Sequence, residues 1–223
     1  MEQLKAVIFD LDNTLLDRTH TFSRFTQAFV NQYFGHVENA QPLHERIIRL
    51  DEDGYKDKRK LFTELLEEMP WDESVEKPAH EALMDYYEEH YVSNAVLMHE
   101  ANEVIAHART KYKVGLITNG RTLIQYGKID QLGIREAFDL IIVSEEAGVK
   151  KPNPQIFELA TSKLGLRAEE CLYIGDHPVN DIEGASKAGM ATIWIKVNQP
   201  WRDELEAKPL HTIEQLNELL RLI

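Results

Sequence analysis

Ala6-Val7-Ile8-Phe9-Asp10-Leu11-Asp12-Asn13-Thr14 sets an unbroken apolar run of four residues directly before two carboxylates, an amide and a hydroxyl. Such a run, ending in polar turn residues, reads as a buried strand and is too short for a helix. Four further runs have the same character: Val114 to Ile117, Leu140 to Val143, Leu172 to Ile174 and Ala191 to Ile195. Between these four lie segments of helical period, Leu123 to Leu132, Ile156 to Leu164 and Ile182 to Ala188. Strand alternating with helix predicts βαβ units and an α/β fold built on a parallel sheet with helices on both faces. The punctuation agrees. Gly133, Gly165 and Gly189 each follow a helical stretch, Asn153-Pro154 suits a helix start, and Thr212 with Gln215 reads as a capping box opening a last helix.

The first two strands are separated by about 100 residues, where a crossover needs about a dozen. Three helical faces occupy the interval: Phe22, Phe25, Phe29 and Tyr33; Leu61, Leu65, Leu66 and Met69; Leu83, Tyr86, Tyr87 and Tyr91. The expected organisation is therefore a sheet domain of residues 1–16 and 96–223, carrying a helical domain of residues 17–95. Aromatic stripes of this kind belong to the bundle's own core and to its seam with the sheet domain.

Composition limits the function. The 223 residues carry 25 Lys plus Arg against 38 Asp plus Glu, a formal charge of −13. That field disfavours nucleic acid and anionic membrane surfaces as partners. An apolar fraction of 43% can fill a real core. The start, Met1-Glu2-Gln3-Leu4-Lys5, shows no basic segment leading into an apolar run, so a soluble cytoplasmic protein is expected. Cys171 stands alone inside an apolar run and reads as a small buried hydrophobe.

The chemistry gathers at strand ends. In open parallel sheets ligands bind beyond the carboxyl ends of the strands, so Asp10 and Asp12 enter one crevice. The spacing alone is weak, because Asp51 and Asp53 repeat it in what reads as a solvated turn. What strengthens it is the company: Thr118-Asn119-Gly120 ends the second strand, Lys150-Lys151-Pro152 follows the third, and Gly175-Asp176 ends the fourth with Asp181 five residues on. Several acids and one cation on one edge call for a metal, and oxygen ligands select a hard ion such as Mg²⁺.

This ordered set, Asp-x-Asp-x-Thr, a Thr at the second strand end, a Lys before Pro and Gly-Asp-x-x-x-x-Asp, resembles the haloacid dehalogenase superfamily of phosphohydrolases over the whole chain. The resemblance implies a Rossmann-like core with an alpha-helical cap inserted after the first motif. It implies Asp10 as nucleophile, Asp12 as general acid and base, and Thr118 and the Asn119 amide as donors to phosphoryl oxygens. Lys151, the lysine directly before proline, would neutralise charge. Mg²⁺ would be held by Asp10, Asp176 and the Asp12 carbonyl, with Asp181 in support. Asp10 would attack phosphorus, giving an aspartyl phosphate, while Asp12 protonates the leaving oxygen and then activates water. An acid at position 12 argues against dehalogenation, because halide departure needs no proton.

Within the superfamily, the cap together with Ile117-Thr118-Asn119-Gly120 and Ser144-Glu145-Glu146 is most similar to the 5′-nucleotidase and N-acylneuraminate-9-phosphatase branch. The expected substrate is thus a small phosphorylated metabolite, a nucleoside monophosphate or sugar phosphate, with phosphoglycolate as the alternative. Arg18 and His20, where the chain enters the cap, are candidates for meeting the leaving group. The cap has 9 Lys or Arg against 17 Asp or Glu, so it contributes −8 of the total, and Lys56, Lys58, Arg59 and Lys60 read as a solvated helix start. His177 reads as a packing residue. Two rivals come from other classes. Gly115 to Thr122 approaches a P-loop, but with Arg121 where a lysine is needed. Receiver domains, which accept phosphate without turnover, share an acidic pair, Thr and Lys, though at half this length and without an inserted bundle.

Overall fold

The computed structural model describes residues 4–223. The chain divides into two compact units, one of residues up to Asp17 together with Leu97–Ile223, the other Arg18–Val96. In chain order the elements are β1 (Ala6–Phe9), α1 (Arg18–Tyr33), α2 (Gln41–Asp51), α3 (Lys58–Glu68), α4 (His80–Ser93), α5 (Ala101–Arg109), β2 (Lys113–Thr118), α6 (Thr122–Gln131), β3 (Leu140–Val143), α7 (Ser144–Ala147), α8 (Pro154–Leu164), β4 (Cys171–Gly175), α9 (Gly184–Lys187), β5 (Ala191–Ile195), β6 (His211–Ile213) and α10 (Leu219–Leu222). A π-helical turn, Pro178–Glu183, leads into α9.

The first unit is an α/β fold on a six-stranded sheet of order β3-β2-β1-β4-β5-β6, every pairing parallel. Strands buried on both faces explain the apolar runs without alternation. On one face Ala6, Ile8, Ile117, Ile142, Cys171 and Tyr173 pack with Ile156, Phe157 and Ala160 of α8 and Ala185 of α9. Phe157 meets the Tyr173 ring edge-on at 5.0 Å between centroids. The chain builds β1, β2 and β3 outward on one side, then returns to β4 on the other. The topological switch therefore lies between β1 and β4, where Phe9 is in register with Ile174.

Local chemistry sets the helix ends. The Asn153 side chain accepts the Gln155 N–H at 3.0 Å with Pro154 in the first turn, and Gly165 closes α8 at φ 68°. The expected capping box at Thr212 is corrected. Thr212 lies in β6, and the box forms instead between Gln215 and Glu218 on the short turn Leu216–Glu218. A three-residue strand at the sheet edge, with only Ile213 buried, carries too little apolar pattern to be read.

The second unit is a helical bundle of α1 to α4. Phe25 packs edge-on against Tyr87 at 5.4 Å, and Phe29 lies 6.0 Å from Phe62, so the aromatic stripes form this unit's own core. The turn at Asp51 is not solvated, as its spacing suggested. The Asp51 carboxylate is buried, 2.6 Å from the Arg18 guanidinium and 2.7 Å from the Lys58 ammonium. Gly54 is required beside it, since a Cβ there would stand 2.5 Å from Arg18 Nε. Burial pulls the Lys58 ammonium down and Asp51 partly restores it. Arg59 and Lys60 are exposed as expected.

Candidate active site

Asp10 follows β1 directly, and its N–H donates to the Ile174 carbonyl of β4 at 2.9 Å, which locks the loop to the switch point. One oxygen of its carboxylate lies 2.6 Å from Lys151 Nζ, and the other accepts the Thr14 hydroxyl at 3.1 Å. Lys151 Nζ also lies 2.7 Å from Asp181 Oδ1 and donates to the Ile117 carbonyl and the Tyr173 hydroxyl, each at 3.1 Å. Asp181 Oδ2 accepts the His177 N–H at 2.9 Å. The lysine is thus a buried hub joining β1, β2, β4 and the π-helical turn. Such turns recur at functional sites.

Two local features allow that turn. His177 Nδ1 accepts the N–H groups of Val179 and Asn180 at 3.1 and 3.0 Å, so the ring caps the turn with its δ nitrogen unprotonated, and burial lowers its basicity. Gly175 has no side chain because Asp181 fills the space: a Cβ there would stand 2.5 Å from the Asp181 carboxyl carbon. The Gly-Asp-x-x-x-x-Asp spacing is thereby accounted for sterically. Trp194 Nε1 donates to the Asp176 carbonyl at 2.7 Å and fixes that residue at the end of β4.

The carboxylates of Asp10, Asp176 and Asp181, all buried, each offer an oxygen within 4.8 Å of the others. Burial raises the Asp10 carboxyl most, Lys151 opposes this, and the charges of Asp181 and Asp12 add to the rise, leaving it at about 7. Burial alone would lower the Lys151 ammonium, but Asp10 and Asp181 hold it well above its ordinary value. Three acids against one fixed cation form an all-oxygen donor set that fits a hard divalent ion. Asp10, Asp176 and Asp181 are the carboxylates that could hold it, and Asp10 and Asp181 also share the Lys151 ammonium.

Thr118 stands at the end of β2, its hydroxyl receiving the Gln125 side-chain amide. The loop after it is braced. The Asn119 side chain accepts the Lys151 N–H at 2.9 Å and donates to the Lys151 carbonyl at 3.0 Å, and Ser144 Oγ accepts the Gly120 N–H at 3.0 Å. The Asn119 side-chain amide is therefore committed to placing Lys151.

Asp12 sits beside this cluster. Both of its oxygens lie 2.7 Å from Lys128 Nζ, and Oδ2 accepts Gln125 Nε2 at 2.9 Å. Gln125 and Lys128, both on α6, were not expected at the site, nor was Tyr173, and Thr14, the threonine of the Asp-x-Asp-x-Thr pattern, had no expected role. A signal existed for Tyr173: a phenol inside an otherwise aliphatic strand needs a buried polar partner. Arg18 and His20 belong to the helical unit. There Arg18 is buried against Asp51 and Asp53, and His20 is exposed on α1.

Comparison with known proteins places these residues in context. Residues 4–189 match the family described as haloacid dehalogenase-like hydrolase. A glyceraldehyde 3-phosphate phosphatase of Methanothermobacter thermautotrophicus is 32% identical over 97% of this chain and 100% of its own length. The human N-acylneuraminate-9-phosphatase is 26% identical over 89% of this chain and 85% of its own. The pyrimidine 5′-nucleotidase YjjG of Escherichia coli is 38% identical over about half of each chain. Among solved structures, the HAD-hydrolase YfnB of Bacillus subtilis, bound to magnesium, superposes with a TM-score of 0.79. It is 22% identical and covers 99% of this chain and 98% of that one.

Proposed function

The chain belongs to the haloacid dehalogenase-like hydrolases and is a phosphatase, and we propose that it hydrolyses small phosphate monoesters through an aspartyl phosphate on Asp10, with Mg²⁺ at Asp10 and Asp176. The observation that carries this reading is the hub at the switch point: Asp10 and Asp181 joined through Lys151, with Asp176 close enough to share an ion.

When bound, the ion would offset the repulsion between the substrate phosphate and the Asp10 carboxylate. The chain's own groups do the rest. Lys151 offers an ammonium to an equatorial oxygen, joined by the Thr118 hydroxyl and the Asn119 main-chain N–H. The Asp10 oxygen attacks phosphorus as the ester oxygen departs in line. Thr14, donating to the other carboxylate oxygen, orients the attacking one. Asp12 gives the departing alkoxide a proton and then takes one from the water that opens the phosphoenzyme. Turnover, rather than stoichiometric phosphate acceptance, follows from having Asp12 to serve the second step.

The relatives named for glyceraldehyde 3-phosphate, N-acylneuraminate 9-phosphate and pyrimidine nucleotides support a substrate range of sugar, triose and nucleoside phosphates. No helix among the described residues is long and apolar enough to cross a membrane. The test is hydrolysis of a panel of such esters, with phosphoglycolate included, before and after chelation of divalent ions. The expected result is turnover with Mg²⁺, loss on chelation and recovery when Mg²⁺ is restored. Full activity in chelator would overturn the metal assignment, and a single labelling event without turnover would favour a phosphoacceptor.

A further inference from the structure

We propose that Lys128, with Gln125, is the positioning device for Asp12: α6 reaches across and holds the general acid at a fixed place relative to the phosphate-binding end of β2. The inference rests on the acid and base role of Asp12 given above.

Four observations carry it. Lys128 lies in the last turn of α6 and would be expected in water, yet its side chain is 3% exposed. Its ammonium lies 2.7 Å from both Asp12 oxygens, so a single cation straddles the carboxylate and fixes its rotation. Gln125, one helical turn earlier and equally buried, donates to Asp12 and to the Thr118 hydroxyl. A Cβ on Gly120 would stand 2.8 Å from the Gln125 side chain, so the loop after β2 is shaped around that amide. Burying a lysine and a glutamine on a short helix is costly unless each is paired, and here each is paired toward the same carboxylate.

The physical consequence concerns geometry. A general acid must meet the leaving oxygen within hydrogen-bond reach, and a flexible aspartate on a loop would sample many rotamers. Asn13, next to it, is held at a left-handed φ of 61°, so the loop's backbone is already constrained. Lys128 completes that constraint at the side chain. Gln125 links the acid to Thr118, so that the group protonating the leaving oxygen and the group holding the phosphate keep one spacing.

The test compares full-length wild type, Lys128→Met, Lys128→Arg, Asp12→Asn and the double variant Asp12→Asn with Lys128→Met, in single-turnover phosphorylation with Mg²⁺. Phenyl phosphate, whose leaving group needs a proton, is set against p-nitrophenyl phosphate, whose leaving group does not. Lys128→Met is expected to slow the phenyl phosphate burst about tenfold or more, to change the p-nitrophenyl phosphate burst by less than about threefold, and to leave KM near wild type. Lys128→Arg should recover most of the loss. In the Asp12→Asn background, Lys128→Met should add nothing, because the two residues act as a unit.

A loss of equal size with both esters, or one that persists in full in the Asp12→Asn background, would overturn the proposal. If Asp12→Asn shows the leaving-group preference and Lys128→Met does not, the positioning role falls while the reading of Asp12 stands. If Asp12→Asn itself shows no preference, both fall. Should Lys128→Met not fold, Lys128→Gln, which keeps a donor without the charge, carries the same comparison with the same deciding outcomes.

Discussion

Gly175 shows how closely single positions are specified. Adding a methyl group there would drive Asp181 from its place, and with it one of the two carboxylates that hold Lys151. Gly175→Ala is expected to fold but to lose about 10²-fold in kcat, the scale of a displacement near 1 Å at a reacting centre. Circular dichroism and steady-state rates check this, and wild-type kcat would contradict it. At this scale the sequence was legible wherever a residue type announces its chemistry next to a strand end: Asp10, Thr118 and Asp176 stand at the ends of β1, β2 and β4, and Lys151 and Asp181 meet Asp10 from the loops beyond. Lys128 and Gln125 were not legible, because a polar pair three apart on a helix is the ordinary pattern of a solvated face, and only tertiary packing turns that face inward. Asp51 misled for the opposite reason. Its neighbours read as a turn, and the buried partners Arg18 and Lys58 are distant or polar enough to pass for surface.

Among the elements, the junction between β1 and β4 is tied by side chains as well as by the ladder. Lys5 Nζ lies 2.6 Å from Glu170, and Glu170 also accepts the Arg167 N–H at 2.9 Å, so the turn before β4 is fastened to the residue before β1. The Lys5 hydrogen bond, aided by the Arg167 N–H, holds the Glu170 carboxyl at about 2, below its ordinary 4.5. A depressed acid contributes stability above its unfolded value and loses it as pH falls toward the folded one. Glu170→Gln should therefore melt below wild type at neutral pH, with the gap narrowing as the melts are repeated from about pH 5 toward about pH 3. A gap independent of pH would show that the carboxylate charge is not what matters. The first five strands and α6 and α8 were legible from apolar runs and helical period. β6 was not, because one buried residue in three makes no period.

Across the whole molecule, the formal charge of −13 opposes an anionic substrate even though the site is built to receive phosphate. Long-range repulsion is screened over about 10 Å at ordinary ionic strength. With Mg²⁺ saturating, kcat/KM for a small phosphate monoester should accordingly rise modestly as an inert salt is added, and kcat should stay level. A fall in kcat/KM with salt would mean that a local positive field, not the net charge, governs approach. The residues gathered at the switch point converge on one claim, that Asp10 carries the phosphoryl group. Its most direct test is acid-quenching of a single turnover with Mg²⁺, followed by peptide mass spectrometry. The account predicts a phosphoryl group on the peptide containing Asp10, appearing before free phosphate and absent in Asp10→Asn. Release of phosphate in wild type with no labelled peptide at any time, or with the label on another residue, would contradict it.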